Sequence, residues 1–157
     1  DDLFFSEESC LTQLSKVYAL KENSVIAVNK VDSKNIHKYG VINPGQIEGR
    51  SIDIIDIVEK PKLENAPSNI AVCGRYILNS SIFDYLKKVK PDNSGEIQLT
   101  DAIKMMLESE SVSACIYEGE KFDCGSKKGF VEATIAIALR DPEIRDDIKS
   151  FIFKEKS

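Results

Sequence analysis

The sequence predicts an α/β fold built around a mixed sheet. Short β-branched runs alternate with stretches of helical periodicity, the pattern in which helices cover a sheet. Turn residues between Gly40 and Pro61 and around Asn69 fold neighbouring strands back as hairpins, which adds antiparallel pairs. The length of 157 residues suits one domain with a sizeable core.

The elements follow in order. Asp1-Asp2-Leu3-Phe4-Phe5 reads as the end of a core strand whose beginning lies outside the chain, with Phe4 and Phe5 in the core. From Ser6 to Leu20, residues Leu11, Leu14, Val17 and Tyr18 recur at helical spacing. Ser6 is the expected cap, and Glu7 and Glu8 suit the positive end of the helix dipole. Ser24 to Val31 is a buried strand, and Val31 to Tyr39, with His37, is a polar loop. Tyr39 to Ile42 restarts a strand that Asn43-Pro44-Gly45 should turn. Ser51 to Glu59 alternates as a half-buried strand and stops at Pro61, which has no amide proton for a ladder.

After a loop from Lys62 to Asn69, Ile70 to Leu78 is an apolar strand interrupted by Gly74. A helix from Ser80 to Lys88 should turn Ile82, Phe83 and Leu86 inward. Pro91 to Gly95 is a loop; Leu99, Ile103, Met106 and Leu107 then form a helical stripe, with Met105-Met106 in the core. Val112 to Tyr117 is a strand, and Gly125 and Gly129 bracket a polar loop. Phe130 to Leu139 is apolar nearly all round, as in a buried helix. Asp141-Pro142-Glu143 starts a last helix, faced by Ile144, Ile148, Phe151 and Ile152.

Composition narrows the function. Hydrophobic residues make up 42% and charged residues 30%, a globular balance that excludes a disordered or collagen-like chain. A net charge of −5 without a basic cluster argues against a nucleic-acid partner. There is no membrane-spanning apolar run and no signal-peptide pattern. Cys10, Cys73, Cys115 and Cys124 form no C-x-x-C pair and read as reduced thiols of a cytoplasmic protein.

Four places have chemistry-bearing residues. Asp1-Asp2 at a strand end either points into a ligand crevice, as a magnesium ligand, or is a solvated acid pair. Glu59-Lys60 point to opposite faces of a strand unless it ends or kinks, and Pro61 makes it end. Glu then accepts from hydroxyls and Lys meets a phosphate; the alternative is an exposed edge pair. Asp123, before Gly125, is a crevice acid or the head of an Asx-turn. Gly40, Gly74 and Gly95 mark close approach of a ligand, or bulges.

The run VEKPKLENAPSNIAVCGRYIL, then GEIQLTDAI, then FDCGSKKGF, resembles the bacterial UTP–glucose-1-phosphate uridylyltransferases, a family of sugar nucleotidyltransferases. The likeness extends from Asp1 into the last helix. It implies a Rossmann-like mixed α/β fold with helices on both faces. It also implies magnesium-assisted formation of UDP-glucose and pyrophosphate from UTP and glucose 1-phosphate, in a homo-oligomer. By the same resemblance Asp1 and Asp123 are the magnesium acids, with Lys60 on the sugar phosphate and Glu59 on the glucose hydroxyls. Gly40 and Val72, with Gly74 two residues on, lie where the backbone meets the sugar. Glu96 of GEIQLTD contacts ligand or braces its loop.

The family's G-x-G-T-R-x-x-P loop and its uracil-reading residues have no counterpart in this sequence. The resemblance therefore assigns residues 1–157 to the C-terminal, sugar-binding part of a nucleotidyltransferase domain, inactive by itself. A glucose-1-phosphate thymidylyltransferase-like enzyme and a non-catalytic interaction module are the alternatives.

Overall fold

The computed structural model describes residues 2–92 and 94–154. The chain forms two compact units, Glu8–Glu118 and the combination of Asp1–Glu7 with Gly119–Ser157.

The larger unit holds five strands: β2 (Ser24–Lys30), β3 (Val41–Glu48), β4 (Ser51–Val58), β5 (Ile70–Ile77) and β6 (Val112–Ile116). They run in the order β2-β5-β3-β4-β6 and close back on β2. The β6–β2 pairing is parallel and the others are antiparallel, so the sheet is mixed, as expected. One face carries the main core, where Ile26, Val28, Ile42, Ile52, Ile57 and Val72 pack with helices α2 (Ile82–Leu86) and α3 (Leu99–Met106). Helix α1 (Cys10–Lys21) packs on β2, β5 and β6, burying Leu14 and Val17. Cys115 Sγ lies 3.8 Å from Gln13 O of α1, while its neighbour Ala114 belongs to the opposite core.

Several local expectations are corrected. Helix α1 is capped by Ser9, not Ser6: Ser9 Oγ accepts the Thr12 N–H at 3.1 Å. Glu7 and Glu8 therefore precede the helix. The buried stripe includes Gln13 and leaves Leu11 exposed. Gln13 is buried without penalty because its amide group is satisfied. Its Nε2 donates to Glu8 O and Glu118 O, and its Oε1 accepts from Glu118 N and Arg50. The polar segment after β2 contains a 3-10 turn, Ser33–Lys38, headed by Asp32. Asn43-Pro44-Gly45 does not turn the chain. β3 runs through it, with ladder irregularities at Asn43/Pro44 and Pro44/Ile47 that accommodate a residue without an N–H. The chain turns instead at Gly49, whose φ of +60° suits glycine. Phe83 is exposed because α2 is a short helix with only Ile82 fully buried. Met106 is core, while Met105 is half-buried.

In the smaller unit, β1 (Asp2–Phe5) pairs antiparallel with β7 (Glu120–Asp123), from Asp2↔Asp123 to Phe5↔Glu120. The sequence predicts a core position for β1. With one strand neighbour among the described residues it is half-buried, and Phe5 is exposed under the Arg140 guanidinium, 4.4 Å from the ring centroid. Strand β7 has no apolar alternation to announce it. Helix α4 (Lys127–Ala138) packs on β7, and α5 (Arg145–Lys154) follows. Gly129 lies inside α4, where Ser126 Oγ caps its N–H at 3.1 Å, rather than at the edge of a loop. Nor is α4 buried all round. Its small residues Gly129, Ala133 and Ala138 are buried, whereas Phe130 is 60% exposed. Asp141 heads the turn into α5, its Oδ1 accepting the Glu143 N–H at 2.9 Å.

Candidate functional site

The β3–β4 register pairs Val41 with Val58, so Gly40 and Glu59 follow at the same end of the hairpin. Lys60 N–H extends the pairing by donating to Tyr39 O at 3.1 Å, and Val72 N–H of β5 donates to Gly40 O at 2.8 Å. Three strands therefore bring Gly40, Glu59, Lys60 and Val72 together. The strand ends at Val58, ahead of Pro61, and the chain also kinks, which was not expected: Lys60 has φ +42°, the left-handed region. That conformation costs a residue with a Cβ roughly 1–2 kcal/mol. It interrupts strand alternation, so the Lys60 ammonium comes within 3.6 Å of Glu59 Oε1 instead of facing away.

Glu59 Oε2 accepts the Thr100 hydroxyl at 2.6 Å. Thr100 stands in the first turn of α3, which Ala102, Ile103 and Met106 anchor in the core. A Cβ on Gly40 would lie 3.2 Å from Glu59 Oε2, 3.3 Å from Thr100 Oγ1 and 3.5 Å from Val72 Cγ2. The missing side chain at Gly40 is thus what lets the Glu59–Thr100 bond rest against the backbone. The Glu59 side chain is 23% exposed and that of Lys60 57%, so both reach solvent. An acceptor and a cation side by side suit a ligand carrying hydroxyl donors and a negative charge.

The other expected residues are placed differently. Gly74 sits on an exposed bulge of β5 with φ +71°, where the β2–β5 register skips. Gly95 also has positive φ, +87°. Glu96 lies in an exposed loop organised by Asp92. The Asp92 carboxylate accepts from Ser94 Oγ, Gln98 Nε2, Ser94 N and Glu96 N, at 2.6–3.1 Å. The Ser94 hydroxyl above all, then Gln98 and the two amides, holds the Asp92 carboxyl far below the usual carboxylate range. Glu96 braces this loop from both ends, its O accepting Asp92 N–H at 2.9 Å and its Oε2 lying 3.3 Å from Gln98 Nε2.

Asp123 ends β7 in the smaller unit, where its exposed carboxylate accepts the Gly125 N–H at 3.1 Å, an Asx-turn. Asp1 lies outside the described residues. Asp2 is ion-paired with Lys121 at 2.9 Å. Among the described residues no three His, Cys, Asp or Glu converge as a metal cluster, and no helix is long and apolar enough to cross a membrane.

Thr100 and Asp92 were not singled out by sequence. Thr100 lies inside the GEIQLTD block, but its bond to Glu59 spans 41 positions and leaves no local signal.

The family profile described as nucleotidyl transferase matches residues 1–139. A UTP–glucose-1-phosphate uridylyltransferase of Staphylococcus epidermidis is 45% identical over 152 residues, covering 97% of this chain and 53% of the relative. The crystal structure of a UDP-glucose pyrophosphorylase complexed with UDP-glucose superposes with a TM-score of 0.85. It is 38% identical, over 89% of this chain and 54% of that one. A UTP-bound UGPase from Acinetobacter baumannii gives 0.83 at 35% identity, over 97% and 53%. The chain therefore spans about half the length of the curated relatives it matches.

Proposed function

The chain belongs to the nucleotidyl transferase family, and from that premise we propose that it is the sugar-binding part of a UTP–glucose-1-phosphate uridylyltransferase. The observation that carries the reading is the Glu59–Lys60 pair, brought together by the left-handed turn at Lys60 and backed by Gly40 and Thr100. The 45% identity to an enzyme of that name supports it.

Lys60 neutralises the phosphate of glucose 1-phosphate, and Glu59 accepts from a glucose hydroxyl. Together they orient the sugar so that a phosphate oxygen attacks the α-phosphorus of UTP in line. The new P–O bond forms as the bond to pyrophosphate breaks, with no covalent enzyme intermediate, so positioning and charge neutralisation carry the catalysis. Val72 and Gly40 shape the floor under the sugar, with Gly74 on the same strand and Glu96 supporting the rim. No segment of the sequence has the composition of a triphosphate-cradling Gly-rich loop, and this reading assigns that clamp to residues outside it.

Magnesium is the expected metal, with Asp123 and Asp1 as its protein ligands. Asp123 fits the role, being an exposed carboxylate with one oxygen on the Gly125 amide, and magnesium takes one or two carboxylates alongside substrate phosphates and waters. When bound, the ion offsets negative charge on the phosphates. The reading also includes a cytoplasmic setting and self-association, the latter supported by the exposed Phe151 and Phe153 of α5.

The test is Lys60→Ala in the full-length polypeptide that carries this chain. Loss of a charge-assisted contact worth about 1.5–3 kcal/mol lowers kcat/KM for glucose 1-phosphate about tenfold to hundredfold while the KM for UTP holds. Unchanged kinetics toward the sugar phosphate would overturn the assignment.

A further inference from the structure

Glu59 is held by an element that no strand-end motif contains. Its Oε2 receives the Thr100 hydroxyl at 2.6 Å. Its Oε1 faces Lys60 Nζ at 3.6 Å, beyond hydrogen-bond length. The two carboxylate oxygens are thus inequivalent: one is tied to a helix and the other is left to accept. The tie is rigid at both ends. Thr100 belongs to α3, whose Ala102, Ile103 and Met106 are buried in the core, and Gly40 offers a bare backbone against which Glu59 Oε2 and Thr100 Oγ1 lie. A side chain fixed by a core-packed helix keeps its geometry better than one carried by a strand end alone.

We propose that Thr100 is a positioning residue that sets sugar discrimination by locking Glu59, so that Oε1 meets a hydroxyl of one configuration beside the phosphate held by Lys60. The proposal rests on the reading of Glu59 and Lys60 as sugar-phosphate contacts. With the tie in place, an epimer whose hydroxyl points elsewhere leaves the Glu59 acceptor unmatched. Without it, the carboxylate swings to follow either epimer. Thr100 therefore acts on the sugar and leaves nucleotide binding alone.

The test compares Thr100→Val, Thr100→Ser and Glu59→Gln in the full-length polypeptide. Valine keeps the branched shape but has no proton to donate, whereas serine keeps the hydroxyl. The readouts are kcat and KM for glucose 1-phosphate and galactose 1-phosphate, KM for UTP, and Tm. Thr100→Val is expected to raise the KM for glucose 1-phosphate about tenfold. It should leave the UTP KM nearly unchanged and narrow the glucose-to-galactose preference. Thr100→Ser should restore both sugar readouts. A fall in Tm with the sugar KM and preference unchanged would make Thr100 a structural residue and overturn the proposal. A higher sugar KM in Glu59→Gln but not in Thr100→Val would overturn the positioning role and leave the Glu59 contact standing. An unchanged sugar KM in Glu59→Gln would instead remove the sugar contact itself, and the proposal with it.

Discussion

Replacing Gly129 by alanine sets two local effects against each other. Gly129 lies in the first turn of α4, and alanine in a helix is favoured over glycine by about 1 kcal/mol. The surroundings oppose the change. A Cβ there would sit 2.0 Å from Asp123 O and 2.9 Å from both Asp123 C and Ser126 Oγ. A carbon ordinarily approaches a carbonyl oxygen no closer than about 3.3 Å, so α4 and the end of β7 must separate by more than about 1 Å. Overpacking of this kind costs ~3 kcal/mol. The shift also strains the Ser126 cap, a contact worth about 1 kcal/mol. With the propensity gain subtracted, the net loss is about 3 kcal/mol. In a chain this long each kcal/mol lowers Tm by roughly 2–4 °C, so a fall of about 6–12 °C is expected. Thermal and urea unfolding of Gly129→Ala against Lys128→Ala, an exposed neighbour in the same turn, isolates the steric effect. A Gly129→Ala protein as stable as the wild type would show that the β7–α4 junction opens freely and would refute the reasoning.

The Asp92 loop is pH-sensitive in a defined direction. Its carboxyl is held below the ordinary value near 3.8, so the order it confers is complete above about pH 4 and is lost as pH falls through the lowered folded value. Asp92→Ala should raise hydrogen exchange at the Ser94 and Glu96 amides at neutral pH, and unchanged exchange rates would contradict the bracing role. The thiols should also separate by reactivity. Burial, with Cys115 nearby, pushes Cys10 up to about 11, and burial also raises Cys115, whereas Cys124 is half-exposed. At pH 8 iodoacetamide should modify Cys124 first and leave Cys10 and Cys115 until the chain unfolds, as read by peptide mass spectrometry. The stability these two thiols maintain should decline as pH rises from about 9 toward their raised folded values. Equal labelling of Cys10 and Cys124 in the folded chain would refute this.

Elements whose signal is local were legible in the sequence. The β-branched run of β2, the alternation of β4 and the stripe of α3 each state their period within a few residues, and each forms close to the expected bounds. The errors arise where a local signal had a second solution. Asn43-Pro44-Gly45 has turn composition, yet a strand irregularity also tolerates proline, and the β4 partner decided between them. Ser6 and Ser9 are equally good caps by type, and the bond to Thr12 selects Ser9. Apolar composition predicted a buried α4, but composition does not say what a helix faces, and its small residues are the ones buried.

The candidate site divides along the same line. Glu59 and Lys60 could be read from Pro61, because a proline after an acid and a base ends a strand wherever the fold places it. The sequence pattern leaves Gly40 as either a close approach of a ligand or a bulge. The structure gives its bareness a further purpose, since the space a methyl would need is taken by the Glu59 and Thr100 oxygens. That purpose needs three elements at once: the strand after Gly40, the strand end at Glu59 and the helix carrying Thr100. No window of sequence contains all three. A glycine between a tyrosine and a valine carries no mark of which neighbours it must admit, and Thr100 carries none of which carboxylate it must hold. The residues that bear charge are legible one at a time, whereas those that fix the charge in place become visible only when the chain has folded around them.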